Sequence, residues 1–220
     1  MKKEKTNKEE KATKKDKKKL TRKQLIFLII TALFIAIIML MDFSPLGYIY
    51  AAGLTITLMP IPVVAGAISL GPVGGMILGF VFGLTSFLQC FGIGYVIDPS
   101  AGTLFQASQF GTIITCFVPR ILMGLCASLL FKVLVKFKNT EKIAYPVAAV
   151  SGAVFNTAFF LTSYIVMFKN TVLAEKSVMS IIIPVLTVNT LIEICVTLVI
   201  GGSIAIAVDR VVKKALKTTK

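Results

Sequence analysis

Long apolar runs, broken only by short stretches of glycine, proline and charge, leave this chain few folds to adopt. The first of them, residues 25–41, contains no ionisable side chain. A helix crossing the hydrocarbon core of a bilayer needs about 20 such residues. With 56% of 220 residues hydrophobic and 15% charged, the chain is too apolar for a soluble domain of its length. The expected fold class is an all-α membrane protein with six transmembrane helices, near residues 25–41, 57–70, 72–90, 110–134, 143–168 and 181–208. The second and third could instead be one helix from 57 to 90. That helix would be about 50 Å long against a core of about 30 Å, and Gly71-Pro72 supplies a break near its middle.

Charge is concentrated at the ends. Residues 1–23 hold twelve Lys or Arg against four acids, a net +8 of the total +14. A nucleic-acid arm is one reading of such a tail, but it abuts an apolar span, which favours a disordered cytoplasmic tail near anionic lipid and no nucleic-acid partner. A signal peptide is disfavoured because the following apolar run exceeds the usual core of about 7–15 residues. The segment 132–142 carries four lysines and the tail after Asp209 five basic residues. Basic loops stay in the cytoplasm, so both should lie on the side of the N-terminus, which requires an even number of crossings between them. The expected division is a basic tail at 1–23, a six-helix membrane domain at 24–209 and a basic tail at 210–220, with both termini cytoplasmic in the plasma membrane.

Helices in lipid gain no hydrophobic energy from one another, so close packing falls to small residues spaced four apart. Gly75, Gly79 and Gly83 form such a stripe, expected to serve internal packing, whereas Ala32 and Ala36 of the first span leave internal packing and partner docking both open. Two connections, DFSPLGYIYAAGL and FGIGYVIDPSAGTLFQASQ, are long, apolar and glycine-bearing. Each could fold over a cavity as a lid or lie inert at the interface.

The chemistry-bearing residues are few. Arg120 and Glu193 fall within spans at an expected similar depth, where facing lipid would cost about 2.5–3.5 kcal/mol. They therefore face inward, either paired with each other or lining a ligand site. Asn189 shares the helix face of Glu193, Asn156 lies mid-way along the fifth span with Phe160 and Tyr164 on its face, and Gln89 closes the third. Pro119 cannot donate to the Thr115 carbonyl, so a kink and a freed acceptor are expected beside Arg120. The guanidinium suits a carboxylate. The sequence has no histidine and no phosphate-binding GxxxxGK[ST] loop, and Cys90, Cys116, Cys126 and Cys195 lack paired-ligand spacing. Neither a metal or other cofactor nor an enzymatic constellation is expected, which leaves binding or transport.

The strings AxxxA at Ala32 and Ala36, IPVVAGAISLGPVGG at 61–75, GFVFGLTS at 79–86, VPRILMGL at 118–125, FNT at 155–157 and VNTLIE at 188–193 occur in an order and spacing that resembles the substrate-binding S components of energy-coupling factor (ECF) vitamin transporters of bacterial membranes. The resemblance implies capture of a small vitamin or precursor, with pantothenate-type members the most similar, and delivery through a membrane-embedded T subunit joined to two ATPase subunits. It implies docking through Ala32 and Ala36, a pocket lined by Arg120, Asn156, Asn189 and Glu193, and a covering loop that contains Tyr48. The alternative is a self-sufficient secondary transporter of a small organic anion, which would couple through ionisable groups in the membrane and often shows internal repeats. Only one acid, Glu193, lies within a span, and no clear repeat is present.

The charge distribution makes the topology testable. Cysteines introduced within 132–142 and after Asp209 should label only in permeabilised cells, while sites near Asp98 and Glu175 should label from outside. Outside labelling of the 132–142 segment would exclude six crossings.

Overall fold

The computed structural model describes residues 21–51, 54–95, 99–137, 141–171 and 190–217. Helix α1 (Arg22–Asp42) opens with Thr21 at its N-cap, whose backbone N–H donates to the Gln24 side chain at 2.9 Å. Only Thr31, Phe34, Ile38 and Asp42 of α1 are buried, a single stripe at helical spacing, flanked by the partly buried Ile30, Ile35, Met39 and Met41, while Leu28, Ile29, Leu33 and Leu40 face outward. A short antiparallel hairpin follows, β1 (Tyr48–Ala51) with β2 (Leu54–Thr57), in which Tyr48 pairs with Thr57. Apart from this hairpin the described residues are helical or in turns and connections: α2 (Pro60–Gln89), α3 (Pro99–Ala107), α4 (Gln109–Leu134), α5 (Glu141–Phe168), and a last helix made of α6 (Thr190–Val196), a π-helical stretch (Thr197–Gly201) and α7 (Gly202–Lys217).

Five of the described helical spans are long and apolar enough to cross a membrane, and one of them, α2, is broken. At Gly71 the backbone takes φ 80° and ψ −172°, and Pro72 follows. A side chain is strained at that φ, which is why glycine occupies it. The two arms fold back on each other. A Cβ placed on Gly75 would lie 2.9 Å from that of Ala67, and Gly66 faces Leu78, although residues eight and twelve apart on a straight helix are about 12 and 18 Å apart. The expected break therefore holds and the single long helix does not. The expected start at Thr57 shifts to Pro60, because residues 54–57 pair as a strand and proline suits a first helical turn. The arm 60–70 is about 16 Å long, half a hydrocarbon core, so β2 and this arm together lead the chain from the hairpin to the Gly71 turn.

The expected internal glycine stripe packs against α4 in antiparallel register. Gly75 meets the Gly124 backbone, Gly79 the Arg120 carbonyl and Gly83 the Cys116 carbonyl, the last 2.9 Å from where a Cβ would sit. Basic residues gather at one end of the bundle. Lys132 Nζ lies near Gly71, Lys23 beside Ser69, Leu70 and Val212, and Lys213 pairs with Asp209 at 2.8 Å. Asp209 also accepts from Tyr145, whose ring packs tilted against Phe131 at 4.9 Å and so joins α4, α5 and α7 at one level. The hairpin lies at the other end. The connection 172–189, the first part of the sixth expected span, and Asp98 fall outside the described residues.

The glycine contact predicts a graded response. Gly79→Ala forces a methyl group against the Arg120 carbonyl and should cost about 1–3 kcal/mol of stability. Gly102→Ala, where the nearest atom is 3.8 Å away in a helix, should be neutral or mildly stabilising. Thermal unfolding in detergent compares the two, and equal midpoints would contradict the close contact.

Candidate functional site

Arg120 is the twelfth residue of α4 and follows Pro119. Proline removes the N–H that would bond the Thr115 carbonyl, and Arg120 replaces it: Nη1 donates to Thr115 O at 2.6 Å. The guanidinium lies over two rings, Phe160 of α5 at 4.8 Å and Phe82 of α2 at 5.4 Å. Its Nε and the nearby Thr115 Oγ1 are buried without a hydrogen-bond partner. Phe160 stacks on Tyr164 at 6.0 Å, and Asn156, one turn earlier on the same face, is 6% exposed with its Oδ1 unpartnered.

Thr157, the next residue, lies beside the Glu193 carboxylate of the neighbouring helix. Glu193 is 2% exposed. Its Oε1 accepts the Thr57 backbone N–H at 3.2 Å, so the acid holds the end of β2, while Oε2 has no partner. Across the hairpin from Thr57 stands Tyr48, whose hydroxyl donates to Asp42 Oδ1 at 3.1 Å. Gln89 Nε2 donates to the same oxygen at 2.6 Å and to the Tyr48 hydroxyl. Asp42 is fully buried, its carbonyl accepts the Tyr95 N–H at 3.0 Å, and its Oδ2 is unpartnered. Burial, reinforced by the Asp42 charge, raises the Tyr48 hydroxyl above the usual phenol range, so it remains a donor.

These residues form an open circuit: Asp42, Gln89 and Tyr48, across the hairpin Thr57 and Glu193, and along α5 Thr157, Asn156 and Phe160 leading to Arg120. It draws on α1, the hairpin, α2, α4, α5 and α6. Five of its buried polar atoms, counting Thr115 beside Arg120, have no partner among the described residues. Buried polar groups are ordinarily satisfied, so these exceptions mark the residues as the candidate site.

Arg120, Glu193, Asn156, Gln89 and Tyr48 are thus brought to one circuit, while Asn189 lies outside the described residues. The pair of Arg120 with Glu193 is not formed. Arg120 is bound to a carbonyl and two rings, and Glu193 to the Thr57 N–H. Sequence reasoning missed Asp42, which it placed in a loop, and Thr157. The signal for Asp42 was an apolar run that could extend one residue further as helix, and for Thr157 its position directly after Asn156.

The family description "ECF transporter, substrate-specific component" matches residues 26–201, which include the whole circuit. The chain belongs to that family. It is a substrate-specific transporter subunit and a multi-pass membrane protein. It is also 27% identical over 163 residues, 70% of this chain and 78% of the other, to the pantothenic acid transporter PanT of Lactococcus lactis subsp. cremoris strain MG1363.

Because no ion pair joins Arg120 to Glu193, neutralising one should not strand the other. Thermal midpoints of Arg120→Leu, Glu193→Leu and the double variant should show losses that add to within about 0.5 kcal/mol. A double variant more stable than either single one would show a pair that this arrangement lacks.

Proposed function

We propose that this chain is the pantothenate-binding S component of an ECF-type importer in a bacterial plasma membrane, with the basic tails at 1–23 and 210–220 in the cytoplasm. The observation that carries the reading is the circuit of buried polar atoms without partners, in which a cationic donor, Arg120 Nε, stands among acceptors. Pantothenate offers a carboxylate to the first and hydroxyl and amide donors to the others. The name of the Lactococcus relative supports the same solute.

With no phosphate-binding loop in the chain, movement of solute requires energy from elsewhere. A T subunit bearing two ATPase subunits supplies it in this reading. The docking face is the outer side of α1, where Ala32 and Ala36 are both exposed among Leu28, Ile29, Leu33 and Leu40. Small residues there let a partner helix approach closely. Beside them an apolar groove of about 450 Å³ runs between α1 and α7, lined by Leu33, Ile37, Ile204 and Val208 among others.

Calorimetry on the purified chain should show pantothenate binding, and absence of binding would refute the substrate. Ala32→Leu and Ala36→Leu should leave that binding within about twofold while abolishing uptake by cells that also express the T and ATPase subunits. Parallel loss of binding and uptake would assign the stripe to folding and not to docking.

A further inference from the structure

We propose that Glu193 reads the hydrogen-bond-donor end of the solute with one carboxylate oxygen while its other oxygen holds the β1–β2 hairpin, so that the site selects anions bearing hydroxyl or amide donors remote from their carboxylate. This inference rests on the pantothenate reading above and assigns an orientation to it.

The buried atoms without partners sort by sign. Asn156 Oδ1 and, in the ionised carboxylate, Glu193 Oε2 accept, and Arg120 Nε can only donate. A solute that satisfies all three must bring donors to the first two and an acceptor to the third. The two kinds are also apart in space. The guanidinium sits 4.8 Å from the Phe160 ring, whereas Thr157, beside Glu193, lies three residues and Asn156 four residues earlier on α5, about 4.5 and 6 Å along the helix. A carboxylate placed against Glu193 would meet a like charge, and a hydroxyl placed at Arg120 would forgo a charge-assisted bond, so only one direction of entry satisfies both ends.

The division of labour within Glu193 follows from its two oxygens. Oε1 accepts the Thr57 N–H at 3.2 Å, and this bond ties α6 to the strand paired with Tyr48. Oε2 is buried and free. A donor arriving at Oε2 therefore meets a carboxylate already fixed by the hairpin, and leaving that oxygen unmatched is costly for any solute lacking the donor.

The separating variant is Glu193→Gln, which keeps a carbonyl oxygen for Thr57 but replaces the free acceptor with an amide N–H₂. Calorimetry would use three probes on the full chain in detergent: pantothenate, its counterpart with the carboxylate reduced to a primary alcohol, and its counterpart with both hydroxyls replaced by hydrogen. Wild type should bind both analogues about ten- to hundredfold more weakly than pantothenate. Glu193→Gln should weaken pantothenate and the alcohol by a similar factor, leaving the preference for carboxylate intact, and should hardly change binding of the dideoxy analogue. Arg120→Gln should show the reverse, with pantothenate and the alcohol bound alike.

Equal weakening of pantothenate and the dideoxy analogue by Glu193→Gln would overturn the assignment. So would wild-type binding of the dideoxy analogue as tight as that of pantothenate, a measurement that needs no variant to fold. A wild-type chain that binds pantothenate but fails these comparisons refutes the orientation alone, whereas one that binds none of the probes refutes the substrate reading as well.

Discussion

The backbone contact between α2 and α4 fixes the rest of the molecule. In lipid two helices approach for the sake of van der Waals contact, and here three glycines at four-residue spacing let the second arm of α2 lie directly on α4. The middle contact of the three is Gly79 on the carbonyl of Arg120, so the helix-packing stripe and the charged centre of the site share one residue. Phe82, three residues after Gly79, is thereby delivered to the guanidinium, and Gln89, ten residues after it, to Asp42. A displacement of α4 large enough to admit one methyl group would disturb both ends of the circuit.

Within that frame the energetic question is how a guanidinium persists in an apolar bundle before any anion arrives. Its insertion penalty is about 2.5–3.5 kcal/mol at a helix centre. Against this stand one charge-assisted bond to a carbonyl, worth about 1.5–3 kcal/mol, and two ring contacts of about 0.5–2 kcal/mol each. These offset the penalty without a counter-ion. Pro119 is what makes the carbonyl available, since in an unbroken helix Thr115 O would bond the helical N–H four residues on. Proline and arginine therefore act together: the first leaves an acceptor open, and the second fills it from its own side chain while keeping Nε free.

Much of this was legible in the sequence because membrane folds are governed by strong rules. The apolar runs gave the helices, the Gly71-Pro72 break separated the arms of α2, and the GMILGFVFG spacing announced internal packing. The open Thr115 carbonyl beside Arg120 followed from Pro119 alone. What stayed hidden depended on contacts between distant segments. Asp42 looks like a loop charge until Tyr48, Gln89 and Tyr95 converge on it. The link from Glu193 to Thr57 spans 136 positions and uses a backbone N–H, which no side-chain pattern can reveal. Arg120 and Glu193 appeared partners because they were the two opposite charges within spans. That each has its own partners became evident only when the Thr115 carbonyl met Arg120 and the Thr57 N–H met Glu193.

Helix α1 holds two features that are seldom found on one element. Its sides away from the bundle are apolar, exposed and interrupted by two alanines, whereas its last residue is a fully buried aspartate that gathers the hairpin, the end of α2 and the segment at Tyr95. Ala36 and Asp42 are six residues apart, about 9 Å along an uninterrupted helix. A helix of this length moves as a rigid rod, so a shift imposed on its outer face is carried to Asp42. At that end Asp42 is held by hydrogen bonds from Tyr48, Gln89 and Tyr95, and such bonds are lost over about an ångström of displacement. One short helix thus joins the free outer surface to the hairpin end through a single buried carboxylate.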